Sequence, residues 1–431
     1  MNPLRITAGW LGLSLCLAAG EVRGQENDLL VGAAKIDITP TLPTTLSGYA
    51  SRTNLSKGVH DPLSARAIAF ACSNQRLVLV STDLIGFYGN AAEPLRQAIL
   101  EACQLKPDQL MLAAIHTHSA PTPVFDRAKG HPNNFEYSQF LSRRLVQLVR
   151  EALAGLAPAS LGTGSGSSPV GVNRRERVAE NGGLKIILGR NPAAATDREV
   201  QVVQIRPLKG GQPLALLFAY ATHSTSLGPA NYQISGDVHG LAEQFVEGYI
   251  GGGLIAPAFA GASGNIDPWF RILPGLKTTN GWIPEPVLMG TMLGEEVVHV
   301  SEKVRLWNRG GPVASLVKTV NLPGKVKLGD PPGTNPPGIP LTLSAARVGS
   351  LGLVGIGGEL FNELGLAIKK GSPFPMTLVI THCNGAAGYL PAQEACAEGG
   401  YEVQSSPFAP GAGETAAQEA IALLKTLSSM N

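Results

Sequence analysis

Leu110-Met111-Leu112-Ala113-Ala114-Ile115-His116-Thr117-His118-Ser119 is the stretch on which both the fold and the chemistry of this chain turn. An unbroken apolar run of strand length, Leu110–Ile115, is followed at once by two histidines spaced two apart. In an extended chain, residues i and i+2 project from one face, so both imidazoles can reach a common site. Ser119-Ala120-Pro121 then ends the strand, since proline offers no donor to a ladder. Taken alone, the pair has an alternative reading as two polar loop residues at a strand end. The choice depends on whether the pattern recurs.

It does recur. Leu77–Ser81, Val200–Ile205, Leu214–Ala219, Leu351–Ile356 and Met376–Ile380 are further strand-like apolar runs. Helical patterns cover Ala91–Ala102, Phe135–Leu153, Gly240–Tyr249, Thr291–Lys303, Leu360–Lys369 and Glu414–Leu427. Strands interleaved with helices predict an α/β protein, or an α+β one, with mixed β-sheets flanked by helices in a single large domain. No internal repeat of the solenoid kind is present. Pro323–Pro340 contains Asp330-Pro331-Pro332-Gly333-Thr334-Asn335-Pro336-Pro337-Gly338 and reads as a long surface loop, with a domain boundary as the alternative. Pro158–Asn181 reads as a second irregular region.

The amino terminus carries Arg5, an apolar run from Trp10 to Ala19, and then Val22 and Gly24 where a signal peptidase would act. This predicts a cleaved signal peptide over residues 1–24, too short to span a bilayer as a mature helix, and a secreted or periplasmic product. A retained anchor is the alternative. Residues 25–431 would then form the functional domain. The chain is 44% hydrophobic and 15% charged, a globular composition. Lys and Arg total 34 against 32 acidic residues, net +2, with no basic block, so nucleic acid is an unexpected partner. No later segment reaches transmembrane length. Among Cys72, Cys103, Cys383 and Cys396, a Cys383–Cys396 disulfide would close a short loop, and free buried thiols fit equally well.

Ligand-capable groups recur at the ends of the apolar runs. Leu214–Ala219 leads to Tyr220-Ala221-Thr222-His223-Ser224-Thr225-Ser226, and Leu351–Ile356 leads to Gly357-Gly358-Glu359-Leu360. Met376–Ile380 leads to Asn384-Gly385-Ala386-Ala387-Gly388-Tyr389-Leu390-Pro391. In α/β sheets the carboxyl edge of the strands is where sites form. Glu359 could instead serve only to favour the start of the next helix through its dipole. Two imidazoles and a carboxylate are a common ligand set for catalytic zinc, which activates water and polarises carbonyls.

These residues resemble a known family. Gly32-Ala33-Ala34-Lys35-Ile36-Asp37-Ile38-Thr39-Pro40, Ser47-Gly48-Tyr49-Ala50, Val59-His60-Asp61-Pro62-Leu63, Ala65-Arg66-Ala67 and Val80-Ser81-Thr82-Asp83-Leu84 are similar to the neutral/alkaline, non-lysosomal ceramidases. So are His116-Thr117-His118-Ser119 and His223-Ser224-Thr225-Ser226. The resemblance runs from about Val31 to the end of the chain, over the family's catalytic domain. It implies a zinc amidase, acting in the family on ceramide in sphingolipid metabolism. It also implies His116, His223, Glu359 and Tyr389 as zinc ligands, with His118 beside the metal. Arg174, in Val172-Asn173-Arg174, looks like the family's pocket arginine; an exposed charged loop including Arg175 and Arg177 is the alternative.

Two departures qualify the resemblance. The family's G-D-V-S-P-N motif, with its required serine, here reads Gly264-Asn265-Ile266-Asp267-Pro268-Trp269. Asp267 could act as a general base for water, or could only cap a turn before Pro268. The immunoglobulin-like domain that follows the family's catalytic domain is not expected within this chain. The expected function is therefore zinc-dependent hydrolysis of an amide in a small-molecule or lipid N-acyl substrate. Asp267 or His118 would take a proton, and Arg174 or Tyr389 would steady the oxyanion. A different ester or amide substrate, or a non-catalytic zinc-binding role, are the alternatives. The oligomeric state is open.

Overall fold

The computed structural model describes residues 28–430 apart from 181, 270–276, 279–280, 283–284, 306, 327–330, 332 and 334–335. The expected signal peptide at 1–24 lies outside the described residues.

Two sheets dominate. The larger has eight strands: β1 (Leu30–Asp37), β2 (Ser64–Cys72), β3 (Gln75–Thr82), β4 (Leu110–Ala114), β5 (Ala157–Ser167), β6 (Glu199–Pro207), β7 (Ala215–Tyr220) and β8 (Ala258–Ala260). Their spatial order is β8-β7-β6-β5-β1-β2-β3-β4. The smaller sheet runs β9 (Val313–Leu322), β10 (Ile339–Val348), β11 (Leu351–Ile356), β12 (Met376–Ile380) in order. Most neighbours are antiparallel, but β3 with β4, β7 with β8, and β11 with β12 are parallel. The larger sheet curls until its edges approach, and Ser81 Oγ on β3 donates to the Ala258 carbonyl on β8 at 2.6 Å.

The reason the key strands read as unbroken apolar runs is that both faces are buried. On β3, Leu77 and Leu79 enter the core between the sheets, while Val78 and Val80 pack against the outer helices α1 (Ala92–Cys103) and α2 (Pro132–Ala154). On β11, Leu351 and Leu353 face the larger sheet. Val354 and Ile356 meet α5 (Asn362–Gly371) and α8 (Ala412–Ser429) instead. Helices α3 (Asp237–Ile250) and α4 (Glu285–Lys303) cover β6 and β7. The result is a four-layer arrangement of helices, sheet, sheet and helices, as the mixed-sheet α/β expectation requires. Two short helices, α6 (Gln393–Glu398) and α7 (Tyr401–Ser405), lie between α5 and α8.

The expected strands and helices all appear, with ends moved by a few residues. Pro158–Asn181 is a correction: its described residues are not irregular, because they include nearly all of β5 and the strand pieces Gly171–Asn173 and Arg175–Glu180. Its glycines and serines hide a strand because they serve packing. A Cβ at Gly164 would sit 3.0 Å from Val300 Cγ1 on α4, and one at Gly166 would overlap Val300 and the Glu296 carboxylate. Pro323–Pro340 is mostly the connection of the β9–β10 hairpin, in which Leu322 pairs with Ile339. Ile339 and Pro340 themselves belong to β10. The described parts of that connection join two strands of one sheet, which removes the domain-boundary alternative. No disulfide joins Cys383 to Cys396; both are free thiols. No helix among the described residues is long and apolar enough to cross a membrane.

Gly166→Val should therefore push α4 off β5 and cost about 1–3 kcal/mol by overpacking. Urea unfolding followed by circular dichroism measures it; an unchanged midpoint would show that α4 relaxes freely.

Candidate metal centre and active site

The carboxyl ends of β4, β7, β8, β11 and β12 converge on one buried cluster. The two sheets are stitched there. Asn384, just past β12, donates its backbone N–H to the Leu112 carbonyl at 2.8 Å. Its side chain accepts from Leu112 N and donates to Leu110 O, both at 2.9 Å. Thr381 N likewise donates to the Ala260 carbonyl at the end of β8. His118 N donates to Ser224 O at 3.1 Å, which aligns the two histidine segments.

His116 and His223 carry their tautomers in their hydrogen bonds. His116 Nδ1 lies 2.6 Å from the Ile85 carbonyl, and His223 Nδ1 lies 2.9 Å from that of Ser263. A carbonyl only accepts, so each Nδ1 carries the proton and each Nε2 presents a lone pair. Both Nε2 atoms lie 3.5 Å from Glu359 Oε2. His118 Nε2 stands 3.3 Å from His116 Nε2. The donor nitrogens of His116, His118 and His223 all fall within 4.8 Å of one another and are buried. Glu359 Oε2 is itself buried without a hydrogen-bond partner. Lone pairs and an anionic oxygen facing one another in a dry site repel unless a cation lies between them. The residues present therefore fit a metal ion.

Glu359 and Tyr389 arrive together. Glu359–Leu360 pairs in parallel with Tyr389–Leu390, Glu359 directly beside Tyr389. Glu359 thus precedes α5 as a strand residue, and is not one of its helical residues. Tyr389, His116, His118 and Glu359 line a cavity of about 340 Å³ with Ser47, Ile85, Tyr88 and Tyr401.

Arg174 and Asp267 stand behind this cavity, outside its lining. The Arg174 guanidinium donates to Glu402 Oε1 (2.7 Å), Asp267 Oδ1 (3.1 Å), Gly264 O (3.0 Å) and Tyr389 OH (3.1 Å). It is buried, which overturns the exposed-loop alternative. Its Nη1 also approaches His223 Nε2 at 3.2 Å, a contact that competes with a metal for the same lone pair. Asp267 is shared with Arg190, whose Nη1 is 3.3 Å from Oδ2. Burial pushes the Asp267 carboxyl up, but Arg174, His223 and Arg190 outweigh it and hold it below the usual carboxylate range. A carboxylate so stabilised is a poor proton acceptor.

Burial, reinforced by His116 and His223, holds the His118 imidazole well below its ordinary value, so it is neutral near pH 7. Burial and Glu359 raise the Tyr389 phenol well above its ordinary value.

Three neighbours escaped the sequence reading. His382 stacks on His116 with ring centroids 3.8 Å apart, buried and with both ring nitrogens unpartnered. It follows β12 by two residues, the same signal that marked His116. Tyr88 donates to Glu359 Oε1, and Glu402 bridges Arg174 and Arg175. Neither has a local signal. His116, His382 and Asn384 adopt positive φ, at 61°, 52° and 58°. Such left-handed non-glycine residues, each costing about 1–2 kcal/mol, cluster at functional sites.

A curled mixed sheet facing a smaller one is a fold shared with solved structures. The neutral ceramidase from Pseudomonas aeruginosa superposes with a TM-score of 0.77 over 94% of this chain and 75% of that one, at 19% identity. The family described as neutral/alkaline non-lysosomal ceramidase, N-terminal, matches residues 29–262. This chain belongs to the neutral/alkaline non-lysosomal ceramidase family. Neutral ceramidase B of Dictyostelium discoideum is 28% identical over 242 residues, 53% of this chain and 33% of that protein. The Pseudomonas aeruginosa neutral ceramidase is 28% identical over 290 residues, 64% of this chain and 42% of its own length. The chain thus spans well under two thirds of these curated relatives. The family match includes His116, His118 and His223 and stops short of Asp267, Glu359 and Tyr389.

Two outcomes test the electrostatics. Replacing Asp267 by Ser strips Arg174 and Arg190 of a shared counter-charge and should cost about 3–5 kcal/mol, the range for a broken buried pair; a urea midpoint equal to the parent's would count against the network. The second concerns His239, buried between the Ser224 hydroxyl (2.8 Å) and the Tyr220 carbonyl (3.2 Å). Burial lowers its pKa to about 4. Between pH 6.5 and 4 the unfolded chain binds this proton and the folded chain does not, so stability falls as pH falls through that window. His239→Gln should reduce the slope of stability against pH there by about 1.4 kcal/mol per unit, read from urea titrations at several pH values.

Proposed function

We propose that this chain hydrolyses an amide bond in an N-acyl substrate with the help of a zinc ion held by His116, His223, Glu359 and Tyr389. The observation that carries the proposal is Glu359 Oε2, buried and unpartnered at 3.5 Å from two imidazole lone pairs. Membership of a ceramidase family supports amide hydrolysis as the reaction. Bound zinc would supply Lewis acidity, polarising the scissile carbonyl and making water acidic enough to attack near neutral pH.

The chain's own residues do the rest. His118 lines the cavity with its Nε2 3.3 Å from His116 Nε2, so we assign it the proton transfer on position. Asp267 is the weaker candidate, because its charge is committed to two guanidinium groups and it lies outside the cavity lining. Tyr389 accepts its hydrogen bond from Arg174, which leaves its own proton free for an oxygen acquiring negative charge. Arg174 acts through Tyr389, since its donors are spent on Glu402, Asp267 and Gly264. Export to a secreted or periplasmic location rests on residues 1–24 and belongs to the same proposal.

Ceramide is the substrate the family suggests. The cavity favours a second reading: at about 340 Å³ it is at the small end of ligand pockets, roughly 300–1,000 Å³, and suits a shorter N-acyl amide or ester. One experiment separates these readings. Metal content is measured for the parent, His116→Ala and His223→Ala, and the parent is assayed on N-acyl amides and esters of graded chain length. Stoichiometric zinc in the parent, its loss in both variants, and chelator-sensitive turnover are expected. Undiminished zinc in both variants would sink the metal centre; zinc without turnover of any substrate would favour a binding protein.

A further inference from the structure

The candidate ligands come from different elements, yet one short loop between β3 and α1 braces two of them. The Leu84 carbonyl accepts from Thr117 N at 3.2 Å. The next carbonyl, of Ile85, accepts from His116 Nδ1. Three residues on, the Tyr88 hydroxyl donates to Glu359 Oε1 at 2.7 Å. His116 follows a strand of the larger sheet and Glu359 a strand of the smaller one, so the loop spans the seam between them. The bend that allows this needs Gly86, whose φ is +147°; a Cβ there would lie 3.2 Å from the Tyr88 ring.

A carboxylate has two oxygens that could turn toward a cation, and here they are treated differently. Oε1 is taken by the phenol, while Oε2, buried and unpartnered, faces His116 Nε2 and His223 Nε2. We infer that Tyr88 is a positioning residue for the metal centre: its hydroxyl locks Glu359 Oε1 and so presents Oε2 as the ligand atom. This rests on the metal reading above. The donor role follows from the chemistry of the pair: a carboxylate oxygen only accepts, so the phenol at 2.7 Å donates. Tyr88 also lines the cavity, so its removal would open space beside the carboxylate.

The test compares the parent with Tyr88→Phe, Glu359→Ala and the double variant. Zinc affinity is measured by chelator competition, and the visible absorption of the cobalt-substituted protein reports the ligand set. Tyr88→Phe should bind zinc about 10–100-fold more weakly, the usual cost of losing an outer partner of a metal ligand, with an altered cobalt spectrum and an unchanged melting temperature. In the double variant Tyr88→Phe should add nothing to the loss from Glu359→Ala, because it acts only through that carboxylate. Should Tyr88→Phe fail to fold, Gly86→Ala displaces the loop with the phenol retained and should weaken zinc in the same direction. Parental affinity and cobalt spectrum in Tyr88→Phe, or additive losses in the double variant, would overturn the inference. Full zinc occupancy in Glu359→Ala would instead overturn the metal centre itself.

Discussion

The hydrogen bonds of Asn384 hold the molecule's chemistry together. Its backbone and side chain pair with both polar groups of Leu112, and its amide also reaches Leu110 O and Ser344 Oγ. Asn384 thereby completes the edge of β4 from the direction of the smaller sheet. Without this seam, His116 at the end of β4 and Glu359 beyond β11 would belong to separate layers. Within it they share a site, and the apolar core between the sheets fixes how far each can move. The left-handed φ of Asn384, which asparagine tolerates better than most residues, is a local cost of this seam.

The second constraint is electrostatic. Arg174, Arg175 and Arg190 are buried beside the candidate centre, and water cannot solvate them there. Glu402, buried between Arg174 and Arg175, and Asp267, shared by Arg174 and Arg190, supply the opposing charges. Buried pairs of this kind contribute little net stability, but losing one partner is expensive. This explains why an aspartate at position 267 is compatible with a histidine–carboxylate cluster nearby: its charge is neutralised behind the cavity. It also leaves Arg174, although adjacent to Tyr389, with its donors engaged by Glu402, Asp267 and Gly264.

Much of this was legible in the residues. The strands ending at His116, near His223 and before Glu359 are buried on both faces, so they stand out as unbroken apolar runs, each followed by a polar group. β5 was not legible, because the glycines that admit α4 erase the apolar signal of a strand. His382 carries the same signal as His116, two residues past an apolar strand. Tyr88 and Glu402 had no signal at all. Each acts through a side chain more than 200 positions away, as the separations of 271 for Tyr88–Glu359 and 228 for Arg174–Glu402 show.

By itself, then, the sequence determined the alternation of strands and helices, the carboxyl-edge location of the polar groups, and the family. Those properties are local: they follow from hydrophobic periodicity and from short motifs. Only the tertiary structure decided that Glu359 lies beside Tyr389 in a parallel pair, that one carboxylate oxygen is held and the other left bare, and that Arg174 and Asp267 are spent on each other. Those depend on how two sheets, each apolar on both faces, pack and join at their edges. Such faces have no periodicity that names a partner, so the pairing exists only once the layers are assembled.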